Sequence, residues 1–298
     1  MRCGFCGGET TRLVCVRPDG LRVVECLGCG LAYVNPRPAP EVVARIYDDA
    51  YFGRARAANS RFGYVDYAEE TQSWLAGAEL RCLARHATLA GKRALEVGCA
   101  TGDLLARMRD LGADVLGLDV SEFAARTARE RHGVDVIAGP VETPELDGRQ
   151  FDIIIGLEVI EHTLRPIDFV RRLAELVRPG GHVLLSTPNY RCARIFGKSW
   201  RGFNGSFEHL CFLSDDVLSR MGAAAGLEEV TWYTLGDGRY RDPGSLSRRQ
   251  RLRQKAKRLP GVARAWSAWK GLTTRRCSPY IEHGQGHRLL MVFTKPAA

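Results

Sequence analysis

Several things are missing from this chain, and each absence narrows its class. No window of the 298 residues approaches eighteen consecutive apolar positions, the length a helix needs to cross a bilayer. The opening Met1-Arg2-Cys3-Gly4-Phe5-Cys6 has no apolar core of the secretory kind, so a cytoplasmic protein is expected. Composition is unexceptional. With 45% hydrophobic and 26% charged residues this is an ordinary globular chain, long enough for one large domain with appendages.

Ten cysteines are present, a number that a small secreted chain would use in disulfides. Here four form two tight pairs and the rest are scattered, which fits reduced thiols. Cys3-x2-Cys6 and Cys26-x2-Cys29 are separated by residues 7–25, and each pair is followed by a glycine, Gly7 or Gly30. Four thiolates fill a tetrahedral zinc shell and leave no open position, so Cys3, Cys6, Cys26 and Cys29 predict a structural zinc. Between them, Arg12 to Val16 and Leu21 to Val24 flank the hairpin turn Pro18-Asp19-Gly20. The expectation is a zinc ribbon over residues 1–38, too short to hold itself together without metal. It would staple the N-terminal segment rather than bind nucleic acid, with Cys15 a small packed residue.

Asn35-Pro36-Arg37-Pro38-Ala39-Pro40 is a stiff linker that cannot be helical. Residues 39–90 then read as a helical cap. A short helix is expected over Glu41 to Asp49 and an amphipathic one over Glu69 to Leu89. Between them Tyr47, Tyr51, Phe52, Phe62, Tyr64 and Tyr67 suit a lid, or the walls of a substrate pocket.

The Gly-x-Gly-x-x-Gly spacing of a dinucleotide site is absent as well. In its place an apolar run from Arg93 enters Gly98-Cys99-Ala100-Thr101-Gly102, and a helix-like pattern follows at once. Glu96 precedes the loop. A carboxylate there repels a diphosphate but suits a cationic ammonium, and Asp119, ending the next apolar run, suits the hydroxyls of a ribose. Strands at 93–98, 114–118, 134–138, 151–157 and 182–186 alternate with helices at 102–111, 121–132 and 165–177, the second capped by Ser121. The fold class is therefore α/β, a parallel sheet wound on both faces, with its ligand beyond the carboxyl ends of the strands near the order switch.

On these motifs the chain resembles the class I S-adenosylmethionine-dependent methyltransferases, in particular the ubiquinone-pathway O-methyltransferase-like group. The stretches that carry the resemblance are Leu95 to Leu105, Gly117-Leu118-Asp119, Phe151-Asp152-Ile153-Ile154, Glu158-Val159-Ile160-Glu161-His162 and Arg178 to Asn189. They cover residues 91–236, with a terminal strand in 287–296. The resemblance implies a Rossmann-like seven-stranded sheet, its last strand antiparallel, with Trp232 and its neighbours and then Arg288 to Phe293 as strands six and seven. It implies that Glu96, Gly98, Ala100 and Gly102 line the methionyl and ribose end of the cofactor. Asp119 would hold the ribose and Val120 would lie against the adenine. Two positions depart from the pattern. Ala100 stands where many members have glycine, and Gly139-Pro140-Val141-Glu142 lacks the Asp many relatives turn to the adenine amino group, leaving backbone or Glu142 for that contact.

Glu158-x2-Glu161-His162 lies at the carboxyl end of strand four, where the acceptor meets the cofactor. A similar run, completed by a later histidine, holds a divalent metal in small-RNA 2′-O-methyltransferases, and His209 is available here. The candidate catalytic residues are thus Glu158, Glu161, His162 and His209. They could hold Mg²⁺, Mn²⁺ or Zn²⁺ beside the acceptor oxygen and lower its pKa. Alternatively His162 acts as general base, or the cluster only shapes the pocket, since methyl transfer rests mainly on in-line positioning. The Asn/Asp-Pro-Pro-Tyr/Phe signature of amino-group methyltransferases is missing after strand four, which favours an oxygen nucleophile on a small-molecule or carrier-linked acceptor.

Charge is unevenly placed. Residues 237–286 hold thirteen Lys or Arg against three Asp or Glu, a net +10, while the whole chain carries +9, so the remaining 248 residues sum to −1. This basic helical insertion carries Val262, Ala265, Trp266, Trp269 and Leu272 at helical spacing. Its centre, 245–276, suits an anionic membrane surface, which would make the protein peripheral to the membrane. Packing of its Trp face on the domain is the plainer alternative. Nucleic acid fits less well, because no aromatic-rich RNA-binding strand accompanies it. Two competing functions remain: a metal-assisted RNA 2′-O-methyltransferase, and a non-catalytic zinc-ribbon nucleic-acid-binding protein on a methyltransferase scaffold.

Overall fold

In the computed structural model, residues 2–44, 76–204, 208–235, 280–282 and 286–297 are described. The aromatic segment between Tyr47 and Tyr67 and nearly all of the basic insertion lie outside them. The N-terminal strands are β1 (Thr11–Val16), β2 (Arg22–Cys26) and β3 (Ala32–Val34), followed by the helices α1 (Pro40–Ala44) and α2 (Ala76–Leu83). Next come β4 (Arg93–Val97), α3 (Asp103–Asp110), β5 (Asp114–Asp119), α4 (Glu122–His132), β6 (Val136–Ala138), β7 (Phe151–Leu157), α5 (Pro166–Leu176) and β8 (Val177–Pro188). After α6 (Arg191–Phe196) and α7 (Arg201–Asn204) the chain forms β9 (Cys211–Phe212), α8 (Asp215–Ala224), β10 (Glu228–Leu235), β11 (Tyr280–Glu282) and β12 (Arg288–Thr294).

The main sheet has the order β11-β10-β12-β8-β7-β4-β5-β6. Strands β6, β5, β4, β7 and β8 are parallel neighbours, while β12 runs antiparallel to both β8 and β10. The seven expected strands are all present, with the reversed one inserted between the fifth and sixth. A three-residue eighth, β11, pairs with β10 at the edge. Arg178-Pro179-Gly180-Gly181, directly after α5, is drawn into the start of β8, where the pairing with β7 shifts register. The chain goes from β4 outward to β6, then returns to β7 on the other side. That reversal opens a crevice at the carboxyl ends of β4 and β7, the usual ligand position in such sheets.

Local chemistry fixes the elements around the crevice. Ser121 caps α4, its hydroxyl accepting from the Ala124 N–H at 3.3 Å, and Gly133 closes the helix in the left-handed conformation. Pro166 opens α5, where a missing N–H costs nothing. That helix buries Ile167, Phe169, Val170, Leu173, Ala174 and Leu176 against the sheet, each full burial of a large apolar side chain contributing about 1.5–3 kcal/mol.

The ribbon strands do not stand apart. Their sheet has the order β1-β2-β3-β9, so its fourth strand comes from within the main domain, between α7 and α8. Cys3, Cys26, Cys29, Leu31 and Tyr33 belong to the same buried apolar cluster as Ile160, Leu213, Val217 and Met221.

Candidate active site

The cofactor side is built from one strand–turn–helix passage and the end of the next strand. Gly98 has φ +73, and a Cβ there would lie 2.3 Å from Val159 Cγ2. Gly102 has φ +80, and a Cβ there would meet that of Ala128 at 2.8 Å. Both positions therefore need glycine, for conformation and for space. Ala100 adopts φ +47 without being glycine, which accounts for glycine being the common residue there. Its N–H donates to Asp119 Oδ2 at 2.8 Å, and the Ser121 N–H donates to Asp119 Oδ1 at 2.9 Å. Each carboxylate oxygen keeps a lone pair for a further donor, and the group is oriented before any ligand arrives.

Glu96 is buried, and its Oε2 has no hydrogen-bond partner. Burial, reinforced by the charges of Asp119 and Asp103, pushes its carboxyl well above the usual range. An orphaned acid of this kind is what an incoming cation satisfies. Val120 presents a large apolar side chain at 57% exposure, open for a flat ring to cover. Glu142 is exposed. The donor set thus fits a nucleoside that carries a cationic amino-acid end.

The acceptor side is assembled from distant segments. After β7, Glu158 has φ +54, the second non-glycine residue in the left-handed region among the described residues. Such strain concentrates at functional sites. Its side chain turns aside: Ser186 Oγ donates to Glu158 Oε1 at 2.8 Å, and Arg288 Nε stands 3.4 Å from the same oxygen. Arg288 also donates to Glu79 at 2.7 Å, tying α2 to β12 and to the end of β7.

Glu161 is 1% exposed, and neither of its carboxylate oxygens has a hydrogen-bond partner. Its Oε1 lies 4.0 Å from His162 Nε2 and 3.9 Å from His209 Nε2. The two rings meet edge-on with centroids 4.9 Å apart. The three ligand-type atoms all lie within 4.8 Å of one another. His162 Nδ1 stands 3.3 Å from the Glu208 carbonyl. A carbonyl only accepts, so Nδ1 is the donor in the tautomer that makes this bond. Burial lowers the pKa of His162 to about 4 and, with His162 and Arg17 nearby, holds His209 well below its usual value, while it raises Glu161 with help from the Glu158 charge. Of the four residues expected together, the structure gathers Glu161, His162 and His209 and sets Glu158 beside them, in a separate pair with Ser186 and Arg288.

Ser186, Arg288 and Glu79 escaped sequence reasoning. The one available signal was an arginine heading the apolar run Arg288 to Phe293. The four N-terminal cysteines do converge. Sγ atoms of Cys3 and Cys29 lie 3.5 Å apart and those of Cys6 and Cys26 3.6 Å, and all four fall within 4.8 Å. Disulfide sulfurs lie about 2.05 Å apart, whereas thiolates around one tetrahedral zinc lie about 3.8 Å apart.

A seven-strand core with one reversed strand, a glycine loop after its central strand and an acid after the next define a class I S-adenosylmethionine-dependent methyltransferase. The chain belongs to the methyltransferase domain family, whose model matches residues 67–231. It is similar to the ubiquinone biosynthesis O-methyltransferase of Thiobacillus denitrificans, 34% identical over 171 residues, 52% of this chain and 73% of the relative. It is also similar to the protein of that name from Nitrosospira multiformis, 32% identical over 163 residues, 48% of this chain and 66% of the relative. The chain thus spans about two thirds of the length of these curated relatives. Among solved structures, magnesium protoporphyrin IX methyltransferase from Synechocystis with bound S-adenosylhomocysteine superposes with a TM-score of 0.54 at 14% identity, over 86% of this chain and all of the other. That likeness concerns the fold.

Proposed function

We infer that this protein transfers a methyl group from S-adenosylmethionine to a hydroxyl oxygen on a small-molecule or carrier-linked acceptor in a biosynthetic reaction. The observation that carries the reading is Glu161: a carboxylate 1% exposed that faces the imidazoles of His162 and His209 at 4.0 and 3.9 Å. The names of the two curated relatives, both O-methyltransferases, agree with it.

Glu96 would take the ammonium of the methionyl end, Asp119 the ribose hydroxyls, and Val120 the adenine face. When bound, S-adenosylmethionine supplies an electrophilic methyl, so the chain's task is alignment more than acid–base chemistry. The donor set of one carboxylate and two neutral imidazoles fits Mg²⁺, Mn²⁺ or Zn²⁺, which at this place would lower the pKa of the acceptor hydroxyl. His162 would hold such an ion or accept the hydroxyl proton. Its low basicity favours the first role. Cys3, Cys6, Cys26 and Cys29 would hold a structural zinc. The basic insertion would meet an anionic membrane surface or the acceptor's carrier.

The test is chelation. EDTA is expected to abolish turnover while four-thiolate zinc stays bound and S-adenosylhomocysteine still binds by calorimetry. Turnover that survives both chelation and His209→Ala removes the cation from the mechanism. Absence of S-adenosylhomocysteine binding, with Asp119→Ala making no difference, removes the enzyme reading altogether.

A further inference from the structure

The ribbon reaches the acceptor cluster by routes that nothing in the reaction above requires. β3 pairs with β9, Ala32 opposite Phe212 and Tyr33 opposite Cys211, and the Val34 N–H donates to the Leu210 carbonyl at 2.9 Å. A second route is more pointed. Arg17, in the turn between β1 and β2, has a fully enclosed side chain. Its Nη1 donates at 2.8 Å to the backbone carbonyl of His209, 192 positions away in the chain, while Asp19 pairs with the rest of the guanidinium. From the other side, the Leu210 N–H donates to the Glu161 carbonyl at 2.8 Å, and the Glu208 carbonyl faces His162. Residues 208–212 are therefore clamped between the ribbon and the acid–histidine turn. The joint is filled by Val23, Val34, Tyr190, Trp200, Phe203 and Phe212, which form one buried cluster shared by both sides.

A buried guanidinium is costly to place unless its charge and hydrogen bonds are matched. Here they are matched by Asp19 and by the carbonyl of the one histidine that completes the cluster. We propose that Arg17 is a positioning residue for the acceptor side, and that the four-cysteine ribbon is a brace that holds His209 against Glu161 through Arg17 and the β3–β9 pairing. This rests on the reading of His209 as part of the acceptor site. In this arrangement the ribbon is needed for the acceptor half more than for the cofactor half, because the buried cluster that fills the joint contains no residue of 96–121.

Amide hydrogen exchange on the full-length protein tests the proposal without knowledge of the acceptor. In the unmutated chain, residues 32–34 and 208–212 are expected to lose protection in one shared opening step as urea rises, before β4 and β7 do. Arg17→Met is expected to raise exchange in 208–212 by about tenfold or more. Protection of β4 and α3, and S-adenosylhomocysteine affinity, stay at the wild-type level. Arg17→Lys, which keeps a donor and a charge, restores part of the protection. The proposal is overturned if 208–212 keeps wild-type protection in Arg17→Met. It is equally overturned if 208–212 stays protected in the unmutated chain after β1–β3 have opened, a measurement that decides the matter even where the Met variant does not fold. Turnover by His209→Ala at the wild-type rate would remove the catalytic reading and leave the exchange result standing, so the two failures are distinguishable.

Discussion

The proposed cofactor pocket comes from one short passage of chain, residues 96–121, whereas the proposed acceptor cluster draws on residues 158–162, 186, 209 and 288, with Arg17 and Glu79 behind them. In the first, glycine conformations and two backbone N–H groups fix a single carboxylate, and neighbours in sequence are neighbours in space. In the second, the turn carrying Glu158, Glu161 and His162 is joined by groups from β8, β12 and the stretch before β9, and must be held to them by contacts between elements. A pocket of the first kind survives wherever its strand–turn–helix survives. One of the second kind is sensitive to anything that shifts β9, β12 or the ribbon. The two meet where Val159 lies against Gly98.

That point is where the largest effect is expected. Gly98→Ala would place a Cβ 2.3 Å from Val159 Cγ2 in a backbone conformation with φ +73. The conformation alone costs about 1–2 kcal/mol and the overpacking a further ~1–3 kcal/mol. Calorimetry should detect no S-adenosylhomocysteine binding, and the melting temperature should fall by roughly 10 °C. A variant that binds the product normally would show that the two halves do not share this wall. Next in size is Glu161→Gln. It preserves shape but removes the ionisable group that faces both imidazoles, so kcat should drop about 10²-fold or more with S-adenosylhomocysteine affinity unchanged. An equal loss of cofactor affinity would erase the contrast between the halves.

The same contrast explains what was legible in the sequence. Glu96, Gly98, Gly102 and Asp119 could be placed because the turn that presents them is local, and a glycine or acid at a fixed offset from an apolar run has few other uses. The strands and helices of the central domain were legible for the same reason, since periodicity is local. The cysteine pairs announced their convergence by spacing alone. What was not legible depended on pairings across the chain: that β9 completes the ribbon's sheet, that Arg288 faces Glu158 and Glu79, and that Arg17 reaches the carbonyl of His209. An isolated arginine next to Pro18 carries no pattern. Glu158 and Glu161 looked equivalent, three residues apart, until the left-handed turn at Glu158 pointed one carboxylate to Ser186 and left the other inside.

A smaller effect separates the halves by pH. In the cofactor-free pocket, burial and the nearby Asp119 and Asp103 hold Glu96 well above the usual carboxylate range, so the neutral acid persists to higher pH. A cationic ligand favours the ionised form, so binding should release protons. Affinity for S-adenosylhomocysteine should rise as pH climbs toward the raised pKa, by at most about tenfold per unit, and level off above it. Calorimetry in buffers of different ionisation enthalpy reads the proton count directly. No proton release, or affinity that falls with rising pH over that range, would mean Glu96 does not meet the cation.

The finest comparison uses the two strained residues, one in each half. Ala100 and Glu158 both hold a left-handed backbone without being glycine, at φ +47 and φ +54. Glycine at either position relieves about 1 kcal/mol of strain and adds unfolded-chain entropy worth about 0.4–1 kcal/mol the other way. The backbone terms therefore nearly cancel, and the side chains decide. Glu158→Gly also removes the acceptor for Ser186 and a partner of buried Arg288, and should destabilise by about 1–3 kcal/mol. Ala100→Gly removes only a methyl and keeps the N–H that binds Asp119. Its stability in urea should stay within about 1 kcal/mol of the parent, with cofactor affinity untouched. If both variants proved equally neutral, the bonds of Glu158 would carry no weight in holding the acceptor side. If both were equally damaging, the strain in the loop would itself be part of how Asp119 is aimed.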